Sequence, residues 1–134
     1  VAIIGNVNLV LFELQAAPFD FYLTGSHYFG GVRSDSDWDF FTESRDGLTD
    51  FLKSLGFERY AESYADDPQI ALVYRHLQGV DVQIVADVQR KLNAQNLIYK
   101  SGLLKRGASK QEARMLWKFV YALPQLLVGS LQES

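Results

Sequence analysis

The chain contains no cysteine, which excludes a disulfide scaffold, a thiolate zinc site and a cysteine nucleophile, and fits a reducing compartment. Prolines number three, at positions 18, 68 and 124, and each reads as punctuation rather than as part of an element. No apolar run approaches the roughly 20 residues of a membrane span. The longest candidate, Leu9 to Ala17, is broken by Glu13 and has no basic leader, so it does not read as a signal peptide. Internal repeats, linkers and low-complexity tracts are also missing. Positive charge is scarce over most of the chain: residues 1–87 hold fourteen acidic side chains against five basic ones.

What is present is a folded composition. Of 134 residues, 48% are hydrophobic and 13% aromatic, enough for one good core and too few residues for two domains. We therefore expect a single domain over 1–134, with a core at about 19–87 and a helical part at about 88–134. The net charge of -3 conceals a polarity, because residues 88–121 carry eight Lys or Arg against Glu112 alone. An acidic half followed by a basic segment suits a phosphate-handling protein, and it equally suits a solvated helix face.

The expected fold class is α+β, a small mixed sheet with a carboxylate cluster on one face and helices covering the other. Asn8 to Ala17 reads as a helix ended by Pro18, and Phe19 to Thr24 as a buried strand. Gly25 gives the exit, with Ser26 expected to cap a helical turn through Gly30. Asp37 to Phe41 is a second strand. Leu48, Phe51, Leu52 and Leu55 fall at i, i+3, i+4 and i+7, the signature of an amphipathic helix, and Gly56 stops it. Phe57 to Tyr64 reads as a strand and Asp66-Asp67-Pro68 as a turn. Ile70 to Leu77 and Val80 to Ala86 form a hairpin around Gln78-Gly79. Asp87 looks like the cap of a helix to about Tyr99. Ser109 and Glu112 have capping-box spacing at the start of a last helix, which Pro124 should kink or end. On that helix Ala113, Leu116, Trp117 and Val120 form the core stripe, and Lys110, Arg114 and Lys118 form a basic stripe beside it.

Chemistry concentrates in residues 23–41. On an extended strand, Asp37 and Asp39 point the same way and Trp38 and Phe40 point into a core. Two carboxylates fixed on one face suit hard divalent cations. Gly25-Ser26 lies upstream, with ten residues, His27 to Ser36, between it and Asp37-Trp38-Asp39-Phe40. This arrangement resembles the signature of the DNA polymerase beta-type nucleotidyltransferase superfamily, and is most like its small bacteriophage-encoded members. Ser36 before the first aspartate and Gly30 after Gly-Ser match as well. The resemblance covers roughly residues 20–87 and implies a third carboxylate on a later strand. Asp81, in Gly-Val-Asp-Val-Gln-Ile-Val, is similar in setting.

The resemblance implies a nucleotidyltransferase in which Asp37, Asp39 and Asp81 bind two Mg²⁺ ions, with Mn²⁺ as a substitute. Gly25 and Ser26 would contact the triphosphate. The reaction would move a nucleoside monophosphate from an NTP such as ATP to a hydroxyl of RNA, of a protein or of a small molecule, releasing pyrophosphate. A cytoplasmic location follows, host cytoplasm if the chain is phage-encoded, with no membrane partner. The chain departs from the family in the turn after Gly-Ser, where His27, Tyr28 and Phe29 stand in place of a Lys or Arg. Arg33 or the stripe Lys110, Arg114 and Lys118 would then supply the phosphate-binding charge. The alternative is a catalytically silent copy of the fold acting as a binding or inhibitory module. An EF-hand reading of Asp35 to Asp46 fails because Phe40 occupies the position that requires glycine. An Asp-x-Asp phosphotransferase reading fails because Arg33-Ser34-Asp35-Ser36 is not an apolar strand. His27 and His76 have no ligand spacing and read as ordinary rim and strand residues.

Overall fold

In the computed structural model, residues 5–30, 32, 36–60, 69–102, 104 and 109–122 are described. In chain order the elements are α1 (Val7–Ala16), β1 (Tyr22–Thr24), α2 (Ser26–Phe29), β2 (Trp38–Glu43), α3 (Leu48–Ser54), β3 (Glu58–Arg59), β4 (Ile70–His76), β5 (Val80–Val85), α4 (Val88–Ser101) and α5 (Lys110–Ala122). The strands form one five-stranded mixed sheet in the order β1-β2-β5-β4-β3. β2 runs parallel to β5, and the other neighbours are antiparallel. The α+β class expected from sequence is therefore observed.

Alternation along the central strands sends each residue set to its own layer. Trp38 and Phe40 of β2 join Val80, Val82 and Ile84 of β5 in the larger core, which α1 covers with Val10 and Leu14 and α3 with Leu48 and Leu52. On the opposite face Phe41 and Val85 meet Val88 and Leu92 of α4. A further cluster joins α2, α4 and α5 through Phe29, Ala94, Ile98, Val120 and Tyr121. The sheet is thus covered by helices on both faces, including the face that carries Asp39 and Asp81. The expectation from sequence that helices cover only the other face is therefore wrong. The second face also bears Phe41 and Val85, and these need burial too.

The helix ends follow the local chemistry. Asn6 caps α1 by accepting from Asn8 N–H at 2.8 Å, and Ala17 is extended (ψ 155°) as the residue before Pro18 must be. Asp87 caps α4 by accepting from Arg90 N–H at 3.1 Å. The reciprocal box of α5 forms, with Glu112 N–H donating to Ser109 Oγ at 3.1 Å and Ser109 N–H to Glu112 Oε1 at 3.4 Å. At α2 the expectation fails. Gly25 (φ 71°) is the cap, Ser26 is the first helical residue, and no side chain caps the turn. The strand expected from Phe19 shortens to Tyr22–Thr24 because Phe19 and Phe21 pack on Phe51 of α3, with ring centroids 5.5 and 6.4 Å away. Of the strand expected at Phe57 to Tyr64, Glu58–Arg59 is seen. Residues 61–68 and Pro124 lie outside the described residues.

Leu52 is fully buried between α3 and the β2–β5 face. Leu52→Ala is expected to cost about 2–5 kcal/mol through lost burial and the cavity left behind, read from denaturant unfolding.

Candidate carboxylate site

The site is built by strand register. Asp39 of β2 is paired with Asp81 of β5, Asp81 with Arg75 of β4, Arg75 with Glu58 of β3, and Asp39 with Thr24 of β1. Register partners on adjacent strands share a face and lie about 4.8 Å apart. One transverse row therefore reads Thr24, Asp39, Asp81, Arg75, Glu58 across the whole sheet. Thr24 and Asp81 are buried, Asp39 and Arg75 half-buried, and Glu58 exposed. Asp37 precedes β2 at a position where the ladder still holds, with Trp38 N–H donating to Gly79 O at 2.8 Å.

Two glycines leave room for these carboxylates. At Gly25 (φ 71°) a Cβ would land on the Asp39 carboxylate, 3.1 Å from its Cγ. At Gly79 (φ 80°) a Cβ would stand 3.0 Å from Asp37 Oδ1. Gly25 thus serves Asp39 at least as directly as it would serve a phosphate.

Electrostatics centre on Asp81. Its carboxyl is raised to about 6: burial is the largest cause, the charge on Asp37 adds to it, and the neighbouring Arg75 opposes it. The Arg75 guanidinium lies 3.4 Å from Asp81 Oδ2 through Nε and stacks on Tyr60, 3.6 Å from the ring centroid. The influence of Asp37 on Asp81 places the two carboxylates within electrostatic reach of one another. Among the described residues no group of three acidic or imidazole side chains is arranged so that it could hold a metal ion. In donor chemistry alone the aspartates offer carboxylate oxygens, the donor type that hard divalent cations take. Asp39 and Asp81 stand on adjacent strands at one register level, with Asp37 just ahead of β2 and Arg75 on one Asp81 oxygen.

The remaining candidates scatter. Ser26 opens α2 beside Gly25. Arg114 and Lys118 are exposed on α5. Arg33, Asp35 and the side chain of Lys110 lie outside the described residues, as do Asp66 and Asp67. His27 stacks flat on Trp38, centroids 3.6 Å apart at 10°, with Nε2 3.4 Å from Ser36 O. Trp38 belongs to the opposite layer from Asp39, so His27 does not replace the cation missing from the turn. His76 is structural. Its Nδ1 accepts from Gln78 N–H at 3.0 Å, which leaves Nε2 to donate to Leu55 O at 2.8 Å. The basic segment is partly internal: Lys91 is 2% exposed with Nζ 4.5 Å from the Trp117 ring centroid, and Arg90 donates to Tyr121 O at 2.9 Å. Sequence reasoning missed Arg75, Tyr60 and Lys91. A hairpin register drawn through Gln78-Gly79 would have set Arg75 opposite Asp81, and no local pattern marks the other two.

Two outcomes follow for stability. The folded protein binds the Asp81 proton more tightly than the unfolded chain, whose ordinary value is 3.8. This carboxyl therefore favours folding most below that value, and the benefit is lost as pH rises through about 6. Asp81→Asn should accordingly unfold roughly 1–2 kcal/mol later than the wild type at neutral pH in EDTA, and the gain should vanish in acid. Gly25→Ala should destabilise more than Gly102→Ala. Gly25 has ψ -159°, a region essentially closed to other residues, and its Cβ would meet Asp39, whereas Gly102 has ψ 2° and its Cβ would meet nothing; a difference of about 1 kcal/mol or more in urea melts is expected.

Comparison of the chain with known protein families, with curated proteins and with solved structures finds no match to any of them.

Proposed function

We propose that the chain is a divalent-metal-dependent nucleotidyltransferase that moves a nucleoside monophosphate from an NTP to a hydroxyl acceptor. The observation that carries the reading is the register alignment of Asp39 with Asp81 on adjacent parallel strands, with Asp37 just ahead on β2 and Gly25 against Asp39. Asp37, Asp39 and Asp81 are the residues that would hold the metal. When bound, Mg²⁺ ions supply neutralisation of the triphosphate and lower the pKa of the acceptor hydroxyl. The chain's own part is to position. Asp37 and Asp39 orient the α-phosphorus beside the acceptor, and Asp81 receives the hydroxyl proton. The acceptor oxygen forms the new P–O bond as the bond to the β-phosphate breaks, and pyrophosphate leaves with that electron pair. Gly25 and Ser26 line the turn at the end of β1, where a phosphate can approach the backbone.

A second reading is favoured by one contact. The ion pair between Arg75 and Asp81 places a cation on a carboxylate that the chemistry needs, as a catalytically silent binding or inhibitory module would allow. The two readings separate by incubation with labelled ATP, GTP, CTP and UTP, Mg²⁺ and a cell lysate. The enzyme should transfer label to a discrete acceptor, and Asp39→Asn should abolish transfer, by at least about 10³-fold, while melting no earlier than the wild type. Mg²⁺ with the preferred NTP should raise the wild-type melting temperature and not that of the variant. Equal labelling by both proteins refutes the assignment, and nucleotide-dependent stabilisation without transfer identifies the silent module.

A further inference from the structure

Two helices are apolar on two sides: α1, which lies on one face of the sheet, and α5, which packs with α4 on the other. α1 gives Val10 and Leu14 to the core and leaves Leu9 and Phe12 exposed, at 55% and 61%. α5 gives Val120 and Tyr121 to its cluster and leaves Met115 and Phe119 exposed, at 65% and 62%. Ala16 and Ala122 extend the two stripes and are exposed as well. A helix with a second apolar stripe needs a second partner. We propose that this partner is another copy of the chain, with α1 of one copy packing on α5 of the next. The inference is independent of the nucleotidyltransferase reading.

Charge selects that pairing. α1 contains Glu13 and no basic residue, whereas the exposed side of α5 carries Arg114 and Lys118 on one edge and Glu112 on the other. Two α1 faces together hold only acid, and two α5 faces hold an excess of cation, so unlike faces neutralise each other best. The stripes also match in length. Leu9, Phe12 and Ala16 fall at i, i+3 and i+7, and Met115, Phe119 and Ala122 at i, i+4 and i+7. Each stripe is therefore about 10 Å long at the rise of an α-helix. With the helices parallel, the three residues of one stripe stand level with those of the other, and Glu13 lies on the edge that meets Arg114 and Lys118. Because α1 and α5 lie on opposite sides of the sheet, the contact is head-to-tail. Each pair of copies keeps one face of each kind open, so assembly continues toward rings or filaments. One helix against one helix buries less than a standard interface, so the association is weak and depends on concentration.

The test is sedimentation velocity of the full chain from about 1 µM to about 1 mM. The wild type should shift to larger species as concentration rises, and added salt should reduce the shift. Phe12→Gln spoils the α1 face and Phe119→Gln the α5 face. Both side chains are exposed, so both variants should melt as the wild type does. Each variant alone should associate at least about tenfold more weakly, the effect of leaving one phenylalanine unburied. Mixed in equal amounts, they should recover wild-type affinity through their one remaining pair of intact faces and stop at a dimer of one copy each. Glu13→Lys removes no residue of the stripe and should still weaken association, most at low salt. A wild type that stays monomeric throughout overturns the inference. So does a mixture that gains nothing over its components, or association that either Gln variant leaves intact, since like faces would then be pairing. Unchanged association in Glu13→Lys overturns the selection by charge. Should a Gln variant fail to fold, Leu9→Gln and Met115→Gln put the same question to the same two faces.

Discussion

The parallel register between β2 and β5 is the constraint on which the rest depends. It sets Trp38 against Val80, Asp39 against Asp81, Phe40 against Val82 and Phe41 against Gln83. Because side chains alternate, the same register that aligns the two aspartates also sends Trp38, Phe40, Val80 and Val82 into the α1–α3 layer. A slip of one residue would turn the aspartates toward Leu48 and Leu52 and take the aromatics out of the α1–α3 layer. Core and site therefore cannot be separated energetically. The apolar residues pay for the alignment of two like charges that would otherwise repel.

Around that alignment the chain arranges counter-charge and space. Arg75 stands beside Asp81 in the row, and the glycines at 25 and 79 leave room where side chains would collide with Asp39 and Asp37. Positive φ at both glycines gives the backbone its exit from β1 and its hairpin turn into β5. Conformational need and carboxylate clearance thus coincide at each position, and no other residue type satisfies both.

Most of the scaffold was legible because its signals are local. The spacing of Leu48, Phe51, Leu52 and Leu55, the hairpin at Gln78-Gly79, the cap at Asp87 and the box at Ser109 and Glu112 each encode an element in a few residues. Alternation also marked which residues of each strand share a face, while the meeting of Asp39 with Asp81 was implied by the resemblance alone. What escaped depends on contacts across the sequence. Phe19 and Phe21 read as strand and instead join Phe51 in an aromatic cluster. Ser26 read as a cap, but Gly25, at positive φ, takes that place. Arg75 and Tyr60 come from β4 and the end of β3, and their stack follows from strand pairing that no window of either segment contains.

Lys91 shows the same point for charge. In sequence it is one of eight cations in a basic segment, and the natural reading is a solvated face. It is instead buried on α4, with Nζ 5.5 Å from the Phe41 ring centroid and 4.5 Å from that of Trp117. Phe41 is two residues beyond Asp39 on the same strand and face, so this ammonium belongs to the layer that covers the carboxylates. Burying a cation costs several kcal/mol of desolvation. Aromatic faces return part of that. At Lys91 the basic segment of the chain is therefore core rather than solvated face, its ammonium set among the rings of the α4 layer.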